Sequence, residues 1–277
     1  MKPRILCLPG FTQNAVIFNE SDSPRGRIGA LRRALKDTAE LVFIDPPHVV
    51  EMPTGDASDF KDKFDSDATA APTSDADTPR AWWFAESRED GQYRKFIKYE
   101  ETLVYLRHVL ETQGPFSAVW GFSQGAACGA ILTALVEQPS LDPIFAAPSQ
   151  NPDVEWPPKP FSFAVLSAGF YPLDPRANAC FKAGVKPKTP TLHVLGRGDT
   201  IVGAERSIPL TEAFEGARVE WHDGGHHTPS KASWRRFFQA YIEAFSEGGG
   251  GAEAAAALAS PSAGGADTPV EAAAGKL

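Results

Sequence analysis

Between residues 118 and 129 the sequence reads AVWGFSQGAACG. Ser123 stands between Gly121 and Gly125, directly after an apolar run and directly before a stretch of small residues. The pattern G-x-S-x-G in that setting implies a sharp strand-to-helix turn that lifts a serine hydroxyl clear of a sheet. Side chains at the two flanking positions would collide with the neighbouring strand or helix, which is why both are bare. The spacing alone is a weak signal, because a chain with 24 glycines in 277 residues produces it by chance in ordinary turns. Its flanks carry the argument: a buried strand precedes it, and Ala126, Ala127, Gly129 and Ala130 let the following helix pack close to the sheet.

The rest of the chain supplies the sheet that such a turn needs. Apolar runs of strand length occur at 4–10, 41–47, 116–122, 161–170, 189–196 and 217–223. Segments with helical spacing of apolar residues lie between and after them, at 27–36, 94–112, 124–138, 208–216 and 234–245. The stripe at 94–112 runs through Phe96, Tyr99, Leu103, Leu106 and Leu110. Strands alternating with helices predict an α/β fold: a six-stranded, mainly parallel sheet with helices on both faces. Residues 1–246 are expected to form this one domain. From 48 to 80 the sequence turns polar and acidic, which predicts a flexible insertion or lid. Residues 247–277 are Gly-, Ala- and Ser-rich, lack large apolar side chains and are expected to be a disordered tail.

Charge and cysteine content remove several function classes. The net charge is −8, and residues 51–77 hold eight acidic residues against two lysines. The acidity is therefore local to the insertion, and nothing forms the basic footprint of a nucleic-acid binder. Cys7, Cys128 and Cys180 are too few and odd in number for a disulfide framework. No 18-residue apolar run predicts a membrane span, and the apolar start, broken by Pro9 and Gly10, reads as a first strand, not a signal peptide. No metal-ligand spacing and no G-x-G-x-x-G appear, so neither a metal nor another cofactor is expected. These features predict a cytoplasmic protein, with the nucleus as an additional location, and assign no oligomeric state.

A serine hydroxyl is a poor nucleophile without a base, an orienting carboxylate and donors for the developing oxyanion. In α/β-hydrolases these follow in the order serine, acid, histidine. Asp199 comes just after the fifth strand and His226 just after the sixth, both at the strand ends where Ser123 lies. Gly224 and Gly225 let the loop turn back toward the serine, which favours His226 over His227. His48 and His108 read as a loop and a helix-surface residue, His193 as structural, and His222 as still on the strand. Asp223 is too close in sequence to His226 to orient it, and Asp174 is a weaker rival. The backbone N–H groups of Gln124 and Phe11 are the expected oxyanion donors. Trp82, Trp83, Phe84, Phe170 and Tyr171, together with Phe11, are candidates for an apolar acyl pocket, with ordinary core packing as the competing role for each.

Five segments together, LPGFTQN at 8–14, RAWW at 80–83, GPFSAVWGFSQGA at 114–126, GRGDTIV at 196–202 and GGHHTP at 224–229, resemble the FSH family of serine hydrolases. The resemblance covers roughly residues 3–246 and keeps the family's motif order. It implies an α/β-hydrolase fold, Ser123 as nucleophile, Asp199 as acid and His226 as base. It also implies a carboxylic ester or thioester as the small-molecule substrate. The family includes fungal thioesterases that release polyketides, so a polyketide or acyl-carrier thioesterase is one alternative. A catalytically silent binding protein on a hydrolase fold is another. The chain departs from the family in reading Leu-Pro-Gly at 8–10, where Leu-His-Gly is usual, and in the length and acidity of residues 54–79.

Overall fold

A computed structural model describes residues 2–19, 28–51, 74–87, 94–182, 184 and 186–262. Six strands build the main sheet: β1 (Arg4–Leu8), β2 (Glu40–Phe43), β7 (Ala118–Phe122), β8 (Phe163–Ser167), β9 (Thr191–Gly196) and β10 (Arg218–His222). Their order is β10-β9-β8-β7-β1-β2, with every neighbouring pair parallel. Two short antiparallel pairs lie outside it, β3 (His48–Val49) with β4 (Arg80–Ala81), and β5 (Phe84–Ser87) with β6 (Arg94–Ile97). The helices are α1 (Ala15–Asn19), α2 (Gly29–Leu35), α3 (Tyr99–Gln113), α4 (Gln124–Glu137) and the short α5 (Pro143–Ala146). They continue with α6 (Pro175–Lys182), α7 (Ala204–Glu212), α8 (Ala232–Ala244) and α9 (Gly251–Ala257).

Alternation along the strands divides the core into two layers. Leu6, Leu8, Val119 and Leu166 face α3 and α4. Ile5, Cys7, Trp120 and Val165 face α2 and α8. Helix α8 presents Trp234, Phe237, Phe238, Tyr241 and Ile242 to that second layer, all buried. Burying a side chain of this size stabilises a fold by about 1.5–3 kcal/mol, so α8 is held chiefly by this face. Helix α4 is buried from Gln124 to Val136. Its small residues allow this, because the helix must pass directly over the centre of the sheet. Cys7, Cys128 and Cys180 are all buried free thiols. No helix among the described residues is long and apolar enough to cross a membrane.

Three expectations change. The predicted helix at 94–112 begins only at Tyr99, because Lys98 adopts a left-handed conformation (φ 64°) and residues 94–97 form a strand. Phe96 matched the helical stripe by spacing alone; its ring stacks on Trp83 at 4.6 Å between centroids. The ends of the predicted flexible stretch are tied down. His48 and Val49 pair with Ala81 and Arg80, and the buried Asn14 amide donates to the Asp75, Ala76 and Thr78 carbonyls. The remainder of that predicted lid, 52–73, lies outside the described residues. The predicted disordered tail is also corrected over residues 247–262. Arg218 donates to the carbonyls of Ala255 (2.5 Å) and Leu258 (2.7 Å), while Ser260 bonds Glu220 and Ser262 bonds the Trp221 carbonyl. Polar contacts from the edge strand β10 add to apolar packing, since Ala255 is buried in the second core layer and Ala254 and Leu258 pack against it. Residues 263–277 lie outside the described residues.

Candidate active site

The turn at Ser123 is built by exclusion. Ser123 takes φ 52° and ψ −116°, a sparsely populated backbone conformation that costs on the order of 1–3 kcal/mol. Its N–H donates to the Ser167 carbonyl (2.9 Å), and its carbonyl accepts from Ala126 and Ala127 as α4 begins. A methyl group at Gly121 would overlap the Gly125 carbonyl, and one at Gly125 would overlap the carbonyl oxygens of Leu8 and Pro9. Backbone thus meets backbone on both sides of the serine.

Two loops at the same end of the sheet bring up the partners. His226 Nε2 lies 2.9 Å from Ser123 Oγ, and His226 Nδ1 lies 2.8 Å from Asp199 Oδ2. The other Asp199 oxygen accepts from the Ile201 N–H (2.9 Å) and the Val202 N–H (2.8 Å). The loops interlock: Gly198 N–H donates to the Gly224 carbonyl, and a methyl at Gly196 would overlap the Gly225 carbonyl. The Phe122 ring lies 5.0 Å from the His226 ring and backs it. Burial pushes the Asp199 carboxyl up, but the His226 bond, the imidazole charge and the two amide donors outweigh it, so the net shift is downward. The carboxylate therefore stays ionised beside the imidazole.

The competing residues have other roles. Asp223 is exposed and pairs with Arg197 (3.6 Å). Asp174 accepts from the N–H groups of Arg176 and Ala177 at the start of α6, and from Phe96 N–H. The His227 ring packs on His222 at 4.7 Å between centroids. Burial first, and His227 second, drive His222 down to about 4. His193 bonds Thr191 Oγ1 inside the sheet, in keeping with a structural role. His108 is exposed on α3. His48 is no loop residue: it is buried, with Nε2 3.0 Å from Thr102 Oγ1 and 3.1 Å from the Lys98 carbonyl.

Ser123 opens onto a cavity of about 670 Å³. Of the predicted lining residues, Phe11, Trp83, Phe84, Phe170 and Tyr171 contribute, as does Gln124. Trp82 does not. It is fully buried, and its indole N–H donates to the Pro9 carbonyl (2.8 Å), so it braces the loop after β1 instead of lining the cavity. Sequence reasoning missed Phe96, Ile201, Val202 and Arg206, which also line it. Ile201 and Val202 follow the acid in GDTIV, and their position there was the available signal. Arg206 lies with its guanidinium 4.7 Å above the Phe170 ring. No group of three or more His, Cys, Asp or Glu among the described residues is arranged to hold a metal ion.

With this geometry in hand, comparison with known proteins places the chain. The family model described as Serine hydrolase (FSH1) matches residues 1–238. The chain belongs to this serine hydrolase family. A zebrafish (Danio rerio) protein named Esterase OVCA2 is 35% identical over 256 residues, covering 87% of this chain and 97% of the relative. The human (Homo sapiens) protein of the same name is 32% identical, covering 88% and 97%. Among solved structures, Arabidopsis thaliana SOBER1 superposes with a TM-score of 0.50 at 15% identity, covering 88% of this chain and 99% of that one. Zea mays acyl-protein thioesterase 2 gives 0.50 at 16% identity, covering 88% and 94%. At such identities the structural likeness speaks to the α/β-hydrolase fold, and the sequence family to hydrolase activity.

Proposed function

We propose that this serine hydrolase cleaves carboxylic esters through an acyl-enzyme on Ser123, with His226 as base and Asp199 as its orienting acid. One observation carries the reading: the unbroken chain Ser123 Oγ, His226, Asp199, lying at the wall of a largely aromatic and aliphatic cavity. The ionised Asp199 accepts a proton-bearing Nδ1, which leaves the Nε2 lone pair facing the serine O–H. As Oγ attacks the carbonyl carbon, its proton passes to Nε2. The carbonyl oxygen takes up negative charge opposite the N–H groups of Gln124 and Phe11, each such donor stabilising the transition state by about 3 kcal/mol. The imidazolium then returns its proton to the departing alkoxide, and the C–O bond breaks. Water, deprotonated by the same nitrogen, attacks the acyl-enzyme and releases the acid and the free Ser123 hydroxyl.

The names of the relatives support an ester as substrate. The cavity's size, and its lining by Trp83, Phe84, Phe96 and Phe170, support a medium or long acyl chain. A thioester would follow the same steps with a thiolate leaving group. A panel of p-nitrophenyl esters from acetyl to palmitoyl, run beside matching acyl-CoAs, separates the two. Ser123→Ala is expected to lower kcat/KM by at least about 10³-fold with an unchanged circular dichroism spectrum. Ester hydrolysis retained by that variant, or a wild type that does not react with a fluorophosphonate probe, would refute the reading.

A further inference from the structure

The two oxyanion donors come from separate parts of the chain, Phe11 from the loop after β1 and Gln124 from the first position of α4. Their spacing must be held to a fraction of an ångström for both to reach one oxygen. Phe11 follows Gly10, whose N–H donates to Gln13 Oε1 (2.9 Å) and whose carbonyl accepts from Gln13 N–H (3.1 Å), so the Phe11 peptide moves only with the loop as a whole. Pro9, at the start of this loop, has no N–H and no polar side chain, so its carbonyl is its one polar group.

Segment 80–83 holds both donors' surroundings at once. On one side of Phe11, Trp82 Nε1 donates to the Pro9 carbonyl (2.8 Å). On the other side, Thr12 N–H donates to the Arg80 carbonyl (2.8 Å). The Gln124 side chain clamps the same segment: its Oε1 accepts from Trp82 N–H (2.9 Å), and its Nε2 donates to the Trp83 carbonyl (2.9 Å). Thr102 donates to the Trp82 carbonyl and takes a bond from His48, which fixes Trp82 from behind. The indole, both backbone groups of Trp82 and the Gln124 amide thus form one connected and fully buried polar network.

We propose that Trp82 is a positioning residue for the oxyanion site, setting the spacing between the Phe11 and Gln124 donors by holding the Pro9 carbonyl with its indole N–H. The proposal rests on the hydrolase reading above. It explains why a tryptophan lies beside the cavity without lining it: the indole N–H is the feature in use, and the ring fills the layer between α3 and the β1 loop.

The decisive variant removes the N–H alone. 3-Benzothienylalanine at position 82, introduced by codon suppression, replaces it with sulfur in a bicycle of nearly the same shape. We expect kcat to fall roughly 10- to 100-fold with KM within about twofold. Affinity for a chain-matched trifluoromethyl ketone, which binds as an oxyanion-bearing hemiketal, should fall in parallel with kcat/KM. A protein merely loosened at this position would show a lower Tm without that parallel. Wild-type kcat in the substituted protein, or a loss confined to KM with ketone affinity unchanged, would overturn the role of Trp82. A wild type inert to both ester and fluorophosphonate would instead overturn the hydrolase reading and the role with it.

Discussion

The centre of the sheet and its β10 edge hold the candidate site residues in place by different means. At the centre, Ser123 is fixed by backbone against backbone: Gly121 against Gly125, and Gly125 against the Leu8 and Pro9 carbonyls. Nothing there can yield without moving a strand. At the edge, β10 is paired on one side only, and its other flank is covered by residues 251–262 through side-chain bonds from Arg218, Ser260 and Ser262. Such bonds are adjustable and individually modest, about 0.5–1.5 kcal/mol net, more where a charge takes part. The serine needs a strained backbone that only a rigid setting maintains. The histidine needs only to arrive within reach, and its loop is braced by the neighbouring loop at Gly196 and Gly198.

The largest effect that would test this contrast is expected at Gly125. Gly125→Ala places a methyl group onto two backbone carbonyls, which no rotamer change can relieve. The expected loss exceeds about 4 kcal/mol, a fall in Tm of about 10 °C or more, or no soluble protein at all. Thermal unfolding followed by circular dichroism reads it. A soluble variant with wild-type Tm would mean that the centre is as adjustable as the edge.

The same contrast explains what was legible in the sequence. The six strands, the elbow and the Ser123, Asp199 and His226 positions could be read because each depends on local pattern: apolar runs, bare flanks, a glycine pair before a histidine. Phe96 was misassigned because its spacing from Tyr99 and Leu103 fits a helix, while the break comes from one left-handed backbone at Lys98. Trp82 was misread because an aromatic doublet carries no sign of which indole finds a carbonyl partner. Residues 251–262 were misread because their order comes from Arg218 and Glu220, over thirty positions earlier, and from small apolar residues packed on the second core layer, and composition records nothing of such contacts.

Intermediate effects are expected at the edge. Arg218→Ala removes the bonds to the Ala255, Ala256 and Leu258 carbonyls and leaves the buried Glu220 without its guanidinium partner (2.6 Å). A loss of roughly 2–4 kcal/mol follows from breaking such a pair, equivalent to a fall in Tm of about 4–15 °C. Ester kcat/KM at 25 °C is expected to stay within about twofold of wild type, because the His226 loop is held from β9. Truncation after residue 250 should lower Tm in the same direction. Activity falling tenfold or more in either variant would show that the edge cover, and not the loop pair, sets the position of His226.

The smallest effect separates the edge strand β10 from its buried neighbour β9 by proton uptake. His193, one strand in from the edge, is driven by burial down to about 3, and His222, on the edge strand, to about 4. His222 faces His227, Trp234 and the carboxylates of Asp199 and Asp223, whereas His193 faces Thr191 and Phe214. Both imidazoles are neutral in the folded protein, and both would take up a proton in the unfolded chain below about pH 6.5. Stability is therefore unaffected by them above that pH. It falls as the pH drops from about 6.5 towards 4, approaching about 1.4 kcal/mol per pH unit for each histidine. The depressed Asp199 carboxyl acts in a lower window, since its stabilisation is lost only as pH falls below the ordinary carboxylate range. Urea unfolding at pH 7, 6 and 5 should show the decline, and the pH slope is the informative quantity, since each substitution also shifts the baseline. His193→Asn is expected to remove close to one proton from the slope. His222→Asn should remove less, because an edge that opens more readily lets water reach its imidazole before the domain unfolds. Equal slopes would place the edge strand on the same footing as its buried neighbour, and a flat wild-type profile would mean that neither histidine is kept neutral by the fold.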